Sequence, residues 1–299
     1  MPESFLDIDY FTMRWFFLLL NFFFFSSILM AQWSNLKFNH VNTDVNGSNL
    51  IVECMAQDNK GFLWLGTKRH GLCMYDGYRV HNVSYKTTGH QIPFTNVKSL
   101  KLDHQGFLWI GTSKHGLWRY NLKQGDIIKI ECDGLEGSHV TDILVREDAQ
   151  ELWISSEDNI FILNLTDHSL IKANELYRLP EINNVSDMLI GDDGKIWMTS
   201  FASDTLFVYD PLNDSAWHID YEKEDASGLC LEIDYLGNIW VGLTNGLIKL
   251  NAETDSMDYY VNDPADDKSL SANIVIDIYS DSRGEIWIGT NKGLNRYVQ

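Results

Sequence analysis

The stretch Asp103 to Tyr120 reads DHQGFLWIGTSKHGLWRY, and the same sentence recurs along the chain. Its copies are DNKGFLWLGTKRHGL from Asp58, DAQELWISSEDNI from Asp148, DDGKIWMTSFASDTL from Asp192, DYLGNIWVGLTNGL from Asp234 and DSRGEIWIGTNKGL from Asp281. Each copy carries one tryptophan: Trp64, Trp109, Trp153, Trp197, Trp240 and Trp287, spaced 43 to 47 residues apart. Short apolar runs rich in branched and aromatic residues, each bounded by turn residues, predict strands rather than helices. A period of about 44 residues built from such strands predicts the blades of a β-propeller.

Within one copy, the D-x-x-G box predicts a tight turn. The Asp side chain can accept from backbone N–H groups just ahead of it, and the Gly tolerates positive φ. The T-x-x-x-G-L segment predicts a second turn. Each repeat then yields an inner strand, a Trp strand, a G-L-x-x-Y strand and a variable outer strand. Outer-strand candidates are 79–85, 127–131, 170–173, 217–221 and 257–261. Expected blades lie near 42–86, 87–131, 132–174, 175–221, 222–261 and 262–299, together an all-β propeller of six four-stranded blades. A four-stranded sheet exposes both faces, so the six Trp side chains are expected to fill the space between blades, with Asp58, Asp103 and Asp281 building turns. Residues 35–41 (NLKFNHV) have no blade of their own and could supply a closing outer strand. A closed six-bladed ring and an incomplete seven-bladed ring both fit.

Composition narrows the function classes. A net charge of −19 argues against nucleic acid, because an acidic surface repels phosphates. Met13-Arg14, the apolar run Trp15 to Met30 and then Ala31-Gln32 predict a secretory signal over 1–31, with Met13 as an alternative start. The expected location is therefore the periplasm, with membrane attachment only through an uncleaved N-terminal segment or a part beyond the C-terminus. The four cysteines, Cys54, Cys73, Cys132 and Cys230, show no metal-ligand spacing. Cys54 and Cys73 share a blade and could pair, or stand as buried free thiols.

No nucleophile–base motif, phosphate loop or calcium loop is present, so no catalytic residue, metal or cofactor is expected. The turns after the Trp strands vary most, and loops on a rigid scaffold are where binding residues gather. Those of the first two blades place Arg69, His70, Lys114 and His115 together, a basic patch on an acidic chain. With Asn245, Asn291 and Lys292 they form a candidate site for an acidic or hydroxyl-rich ligand. Ordinary solvated turn residues are the alternative.

The run from Asp103 to Tyr120, D-x-x-G-F-L-W-I-G-T-x-x-x-G-L-x-R-Y, resembles the two-component regulator propeller repeat, as does Asp281 to Tyr297. The third copy departs from it, with Glu151 read at the Gly position and Ser155-Ser156 for Gly-Thr. The resemblance implies the periplasmic sensing region of a hybrid two-component histidine kinase of Bacteroides type, many of which respond to oligosaccharides. It also implies that the chain is an N-terminal fragment, since the kinase and DNA-binding parts of such proteins lie outside it. Homodimerisation through the propeller is a further implied possibility. The D-x-x-G-x-I-W boxes also resemble those of streptogramin lyases, which leaves a propeller enzyme as one alternative and a plain interaction scaffold as another.

Overall fold

The structure, a computed structural model, describes residues 44–297 except 46–47, 84–93, 132–133, 136, 158, 180, 252–253, 255, 267 and 282. The expected signal segment, the candidate closing strand 35–41 and Cys132 lie outside the described residues. After a short hairpin (Asp44–Val45 with Ser48–Asn49), six antiparallel sheets follow one another. The first runs Val52–Gln57, Leu63–Thr67, Leu72–Tyr75, Val80–Asn82. The second runs Val97–Leu102, Phe107–Thr112, Leu117–Asn121, Ile127–Lys129. The third is Val140–Arg146, Glu151–Ser156, Asn159–Asn164, Leu170–Lys172, and the fourth Val185–Ile190, Ile196–Ser200, Thr205–Asp210, Ser215–Asp220. The fifth is Gly228–Ile233, Ile239–Leu243, Leu247–Leu250, Met257–Tyr260. The sixth shows three strands, Val275–Ser280, Ile286–Thr290, Gly293–Tyr297. One helical turn, Ala173–Leu176, joins blades three and four. The chain is an all-β propeller of six blades.

A carboxylate holds the indole in five blades. The Asp58, Asp103, Asp234 and Asp281 side chains accept from the Nε1–H of Trp64, Trp109, Trp240 and Trp287 at 2.9–3.2 Å. The second oxygen of each accepts backbone N–H groups of the turn, for example Phe107 N–H onto Asp103 at 2.8 Å. The Asp is therefore more than a turn former, because it ties the turn to the filler between blades.

Two copies correct the sequence alignment. In blade three the turn begins at Glu147, not Asp148, since Gln150 N–H donates to Glu147 O as Gly106 N–H does to Asp103 O. Gln150 occupies the Gly position at φ 54°, and Glu151 stands where blades one and two have Phe62 and Phe107 and blade six has Glu285. Glu147 turns to the His104 backbone N–H of the preceding blade, and Glu151 takes over the indole at 3.0 Å. In blade four the turn begins at Gly191, not Asp192, with Gly191 N–H donating to Lys195 O.

The indoles pack between blades, and three of the six meet a ring of the next one. Trp64 lies 5.1 Å from Tyr120, Trp153 5.9 Å from Tyr209 and Trp240 4.8 Å from Tyr297, centroid to centroid. Such pairs contribute about 0.5–1.5 kcal/mol beyond area burial. Trp109, Trp153 and Trp240 are fully buried.

The Gly of W-x-G-T has a steric reason. A Cβ on Gly66, Gly111 or Gly242 would lie 2.7 Å from a Val methyl (Val97, Val140, Val275) that opens the next inner strand. Blade four inverts the pair: Thr199 stands at the Gly position, and Gly228 replaces the Val.

Inner strands pack in chain order, blade one to blade six. Leu100, Ile143, Met188, Leu231 and Ile278 sit at one position of that strand, each against the preceding blade and each buried. The same position in blade one is Met55, 61% exposed. At the far end Tyr279, whose position faces forward, is also 61% exposed. Among the described residues the first and sixth inner strands do not pack on each other, so the six blades form an open arc. Cys54, Cys73 and Cys230 are free thiols, and burial pushes Cys54 up to about 12 and Cys73 up to about 11.

Candidate functional site

Backbone bonds sort the turns onto two faces. Turns after the Trp strands bond to the connections between blades: Lys68 N–H to Ile51 O, Ser113 N–H to Asn96 O, Thr244 N–H to Ser227 O, Asn291 N–H to Ile274 O. Turns between inner and Trp strands bond instead to those after the third strands, as with Leu122 N–H to Gly106 O and Leu165 N–H to Gln150 O.

On the first face, blades one and two carry the basic turns. Thr67 Oγ1 accepts from His70 N–H at 2.9 Å and donates to Gly71 O at 2.8 Å. Thr112 repeats this with His115 and Gly116 at 3.0 and 2.7 Å. The turns are thus rigid, and they hold Lys68, Arg69, Lys114 and His115 exposed. Gly116 is required by both geometry and space: φ is +69°, and a Cβ would meet Leu135 O at 2.4 Å. His70 is half-buried, and its Nδ1 is enclosed without a partner. Asn96 Oδ1, on the connection that packs beside this turn, is enclosed and unpartnered as well. Enclosed polar atoms without partners are uncommon and demand an explanation, a ligand among them.

Two further groups of this region escape a repeat-based reading. Lys98 pairs with Glu53 across blades one and two. Desolvation, then the Lys98 ammonium, holds the His139 imidazole below the ordinary histidine value. Both lie at the entry of inner strands, where nothing in the repeat marks them.

The remaining candidates lie elsewhere along the arc. The Asn245 amide donates to Glu224 O at 3.1 Å, and its backbone carbonyl accepts from Tyr259 at 2.6 Å, so it braces its own turn. Asn291 and Lys292 are exposed on the turn of blade six. The structure brings Arg69, His70, Lys114 and His115 onto neighbouring turns and leaves these three on blades five and six.

The inner strands hold a polar relay. Ser99 donates to Asp142 at 2.9 Å, Asp142 accepts from Met188 N–H at 3.0 Å and Asp187 from Leu231 N–H at 2.8 Å. Lys101 is the cation among them, and Asp142 above all raises its pKa. Burial, then Asp142, lifts Asp187 well above the carboxylate range, and burial also lifts Glu232 and Asp277. A carboxyl raised on folding favours the fold fully below its ordinary pKa, and that support is lost as pH rises through the raised value. Asp187→Asn keeps an acceptor for Leu231 and a donor toward Asp142. It is expected to leave stability at pH 7 equal or up to about 1 kcal/mol higher, and to flatten the decline as pH rises above the ordinary carboxylate range. Urea melts across that range check this; an unchanged slope contradicts it. Among the described residues, no three His, Cys, Asp or Glu side chains converge as a metal site requires.

Residues 46–69, 91–114 and 269–292 match the two component regulator propeller family. No curated protein sequence matches the chain. Among solved structures, the extracellular domain of a protein described as a hybrid two component system of Bacteroides thetaiotaomicron superposes with a TM-score of 0.61 at 21% identity. That match covers 83% of this chain and 40% of the other. An inactive virginiamycin B lyase of Staphylococcus aureus, with quinupristin, gives 0.63 at 12% identity over 87% and 86%. PorZ, a surface component of the type-IX secretion system of Porphyromonas gingivalis, gives 0.60 at 18% over 89% and 42%. At these identities the likeness shows the propeller fold. The chain spans about 40% of the length of the Bacteroides extracellular domains it matches.

Proposed function

The chain carries the repeats of the two component regulator propeller family, and from that premise we propose that it is the ligand-sensing propeller of an exported two-component sensor. It binds an acidic or hydroxyl-rich oligosaccharide and catalyses nothing itself. The observation that carries this is the face of blades one and two. There, rigid turns hold Arg69, Lys114 and His115 outward on a chain of net charge −19, beside the enclosed, unpartnered atoms of His70 and Asn96. Guanidinium and ammonium groups recognise carboxylate or sulfate oxygens, and the amide and imidazole serve hydroxyls. The solved Bacteroides extracellular domains support the same setting, outside the cytoplasm.

Calorimetric titration with a panel of acidic and neutral oligosaccharides tests the proposal. At least one acidic oligosaccharide is expected to bind. Arg69→Ala with Lys114→Ala should weaken it about 10- to 100-fold, the loss of one to two charge-assisted contacts. Binding should also weaken with salt. No heat from any oligosaccharide sinks the ligand claim and leaves an interaction scaffold. Turnover of a bound compound would instead support the lyase-like reading.

A further inference from the structure

Trp197 alone lacks the carboxylate that holds the other five repeat indoles. Gly191 stands where the capping Asp belongs. Val208 is its neighbour across the sheet, an apolar residue like Met74 and Ile162 beside Trp64 and Trp153, where Trp109, Trp240 and Trp287 have Arg119, Lys249 and Arg296, cations 5.3–6.0 Å from their rings. Leu250 stands in blade five where Tyr120, Tyr209 and Tyr297 stand in theirs, as Leu163 does in blade three, and only at Trp197 do all three exchanges coincide. Carboxylate, cation and tyrosine are all exchanged for smaller groups at one indole. Its Nε1–H has no hydrogen-bond partner among the described residues.

These exchanges coincide with a cavity of about 710 Å³ between blades four and five, on the side of the D-box turns. Trp197 and the 39% exposed Trp217 share one row of the sheet, with Val208 between them. Two strand spacings put the indoles about 10 Å apart. Leu250 and Ile239 form the facing wall, and Asp192 and Asn251 add polar groups. An indole N–H is a donor only, so it asks for an acceptor. The Asp192 carboxylate asks for a donor, and the two ring faces ask for an apolar surface. Lys195 also lines the pocket but pairs with Asp193, so an anion would meet the carboxylate of Asp192 without a compensating charge, and a plain hydrocarbon ring would serve neither polar group.

We propose that this pocket binds one neutral, hydroxyl-bearing sugar ring, its C–H face on the indoles and one oxygen on the Trp197 N–H. The ligand class is shared with the function proposed above, but the site is on the opposite face and stands on its own residues. Each can therefore fail alone.

The test titrates the folded chain with methyl β-glucoside and cellobiose, with glucuronate and benzyl alcohol as controls, followed by tryptophan fluorescence and calorimetry. Gly191→Asp places a carboxylate where the other blades have one. Its Cβ would lie 2.9 Å from Asp193 Oδ1 and 3.1 Å from Trp197 Nε1, so it also displaces the indole from the pocket wall. Trp217→Ala removes an exposed wall. The neutral sugars are expected to bind, and each variant should weaken them at least about tenfold, 1.4 kcal/mol. Arg69→Ala with Lys114→Ala should leave this binding unchanged while weakening the acidic oligosaccharides. No response to neutral sugars up to about 50 mM, a response to benzyl alcohol alone, or wild-type affinity in Trp217→Ala overturns the proposal. So does wild-type affinity in Gly191→Asp with an unchanged melting temperature. Should Gly191→Asp not fold, Trp217→Ala decides.

Discussion

Gly228→Val is expected to be among the most destabilising single substitutions in this chain, although Val is what the other blades carry at its position. A Cβ on Gly228 would lie 1.4 Å from Thr199 Oγ1 and 2.8 Å from the Tyr221 hydroxyl, which itself bonds Thr199 at 2.9 Å. No small rotation relieves both contacts, since Thr199 is fully buried. Overpacking of this kind costs about 3 kcal/mol or more. Thr199→Gly alone should cost about 1–2 kcal/mol, for a small cavity and the lost bond to Tyr221. The double variant recreates the Gly–Val pair of Gly66–Val97, Gly111–Val140 and Gly242–Val275. It should recover at least half of the Gly228→Val loss, a coupling of about 2 kcal/mol. Denaturant unfolding of the four proteins gives the cycle; simple additivity would refute the exchange.

Glu151→Ala should be comparably severe. One carboxylate serves three partners: the Trp153 indole at 3.0 Å, the Arg146 guanidinium at 3.1 Å and the Tyr177 hydroxyl at 2.7 Å. Burial, then the bond to Glu151, pushes Tyr177 up to about 12. Removing the carboxylate strands a buried cation whose other partner, Asp148, is largely exposed. Breaking a buried pair from one side costs about 3–5 kcal/mol. Asp103→Ala, which strands the Trp109 indole and the Phe107 N–H but no charge, should cost less, about 2–3 kcal/mol. Equal losses in the two variants, read by the same melts, would refute the assignment.

The repeat was legible because its period, turn boxes and strand runs all report local backbone geometry. What the local pattern could not carry was the partner of each side chain. Asp148 and Asp192 lie one residue from the positions that begin their turns, and the alignment slipped because an acidic residue is available at either register. Glu151 looked like a lapse of the turn at the Gly position, yet it carries the indole from two residues away. Thr199 and Gly228 carry no mark in the sequence pattern, and only the packing of blade four on blade five pairs them. The basic turns were visible as residues that do not repeat. The enclosed His70 and Asn96 atoms were not, because enclosure depends on the connection 94–96 folding over the turn.

A single structural rule runs through this account: a carboxylate holds the indole of each blade except the fourth, and the side cavity follows from that exception. Indole N–H exchange, read by ¹⁵N–¹H spectra with each tryptophan assigned by replacement with Phe, tests it directly. The N–H groups of Trp64, Trp109, Trp153 and Trp240 are expected to exchange slowly. That of Trp197 should exchange on the order of tenfold faster or more, and slow in Gly191→Asp. A Trp197 N–H as protected as that of Trp240, or one that Gly191→Asp does not slow in a folded protein, would contradict the rule.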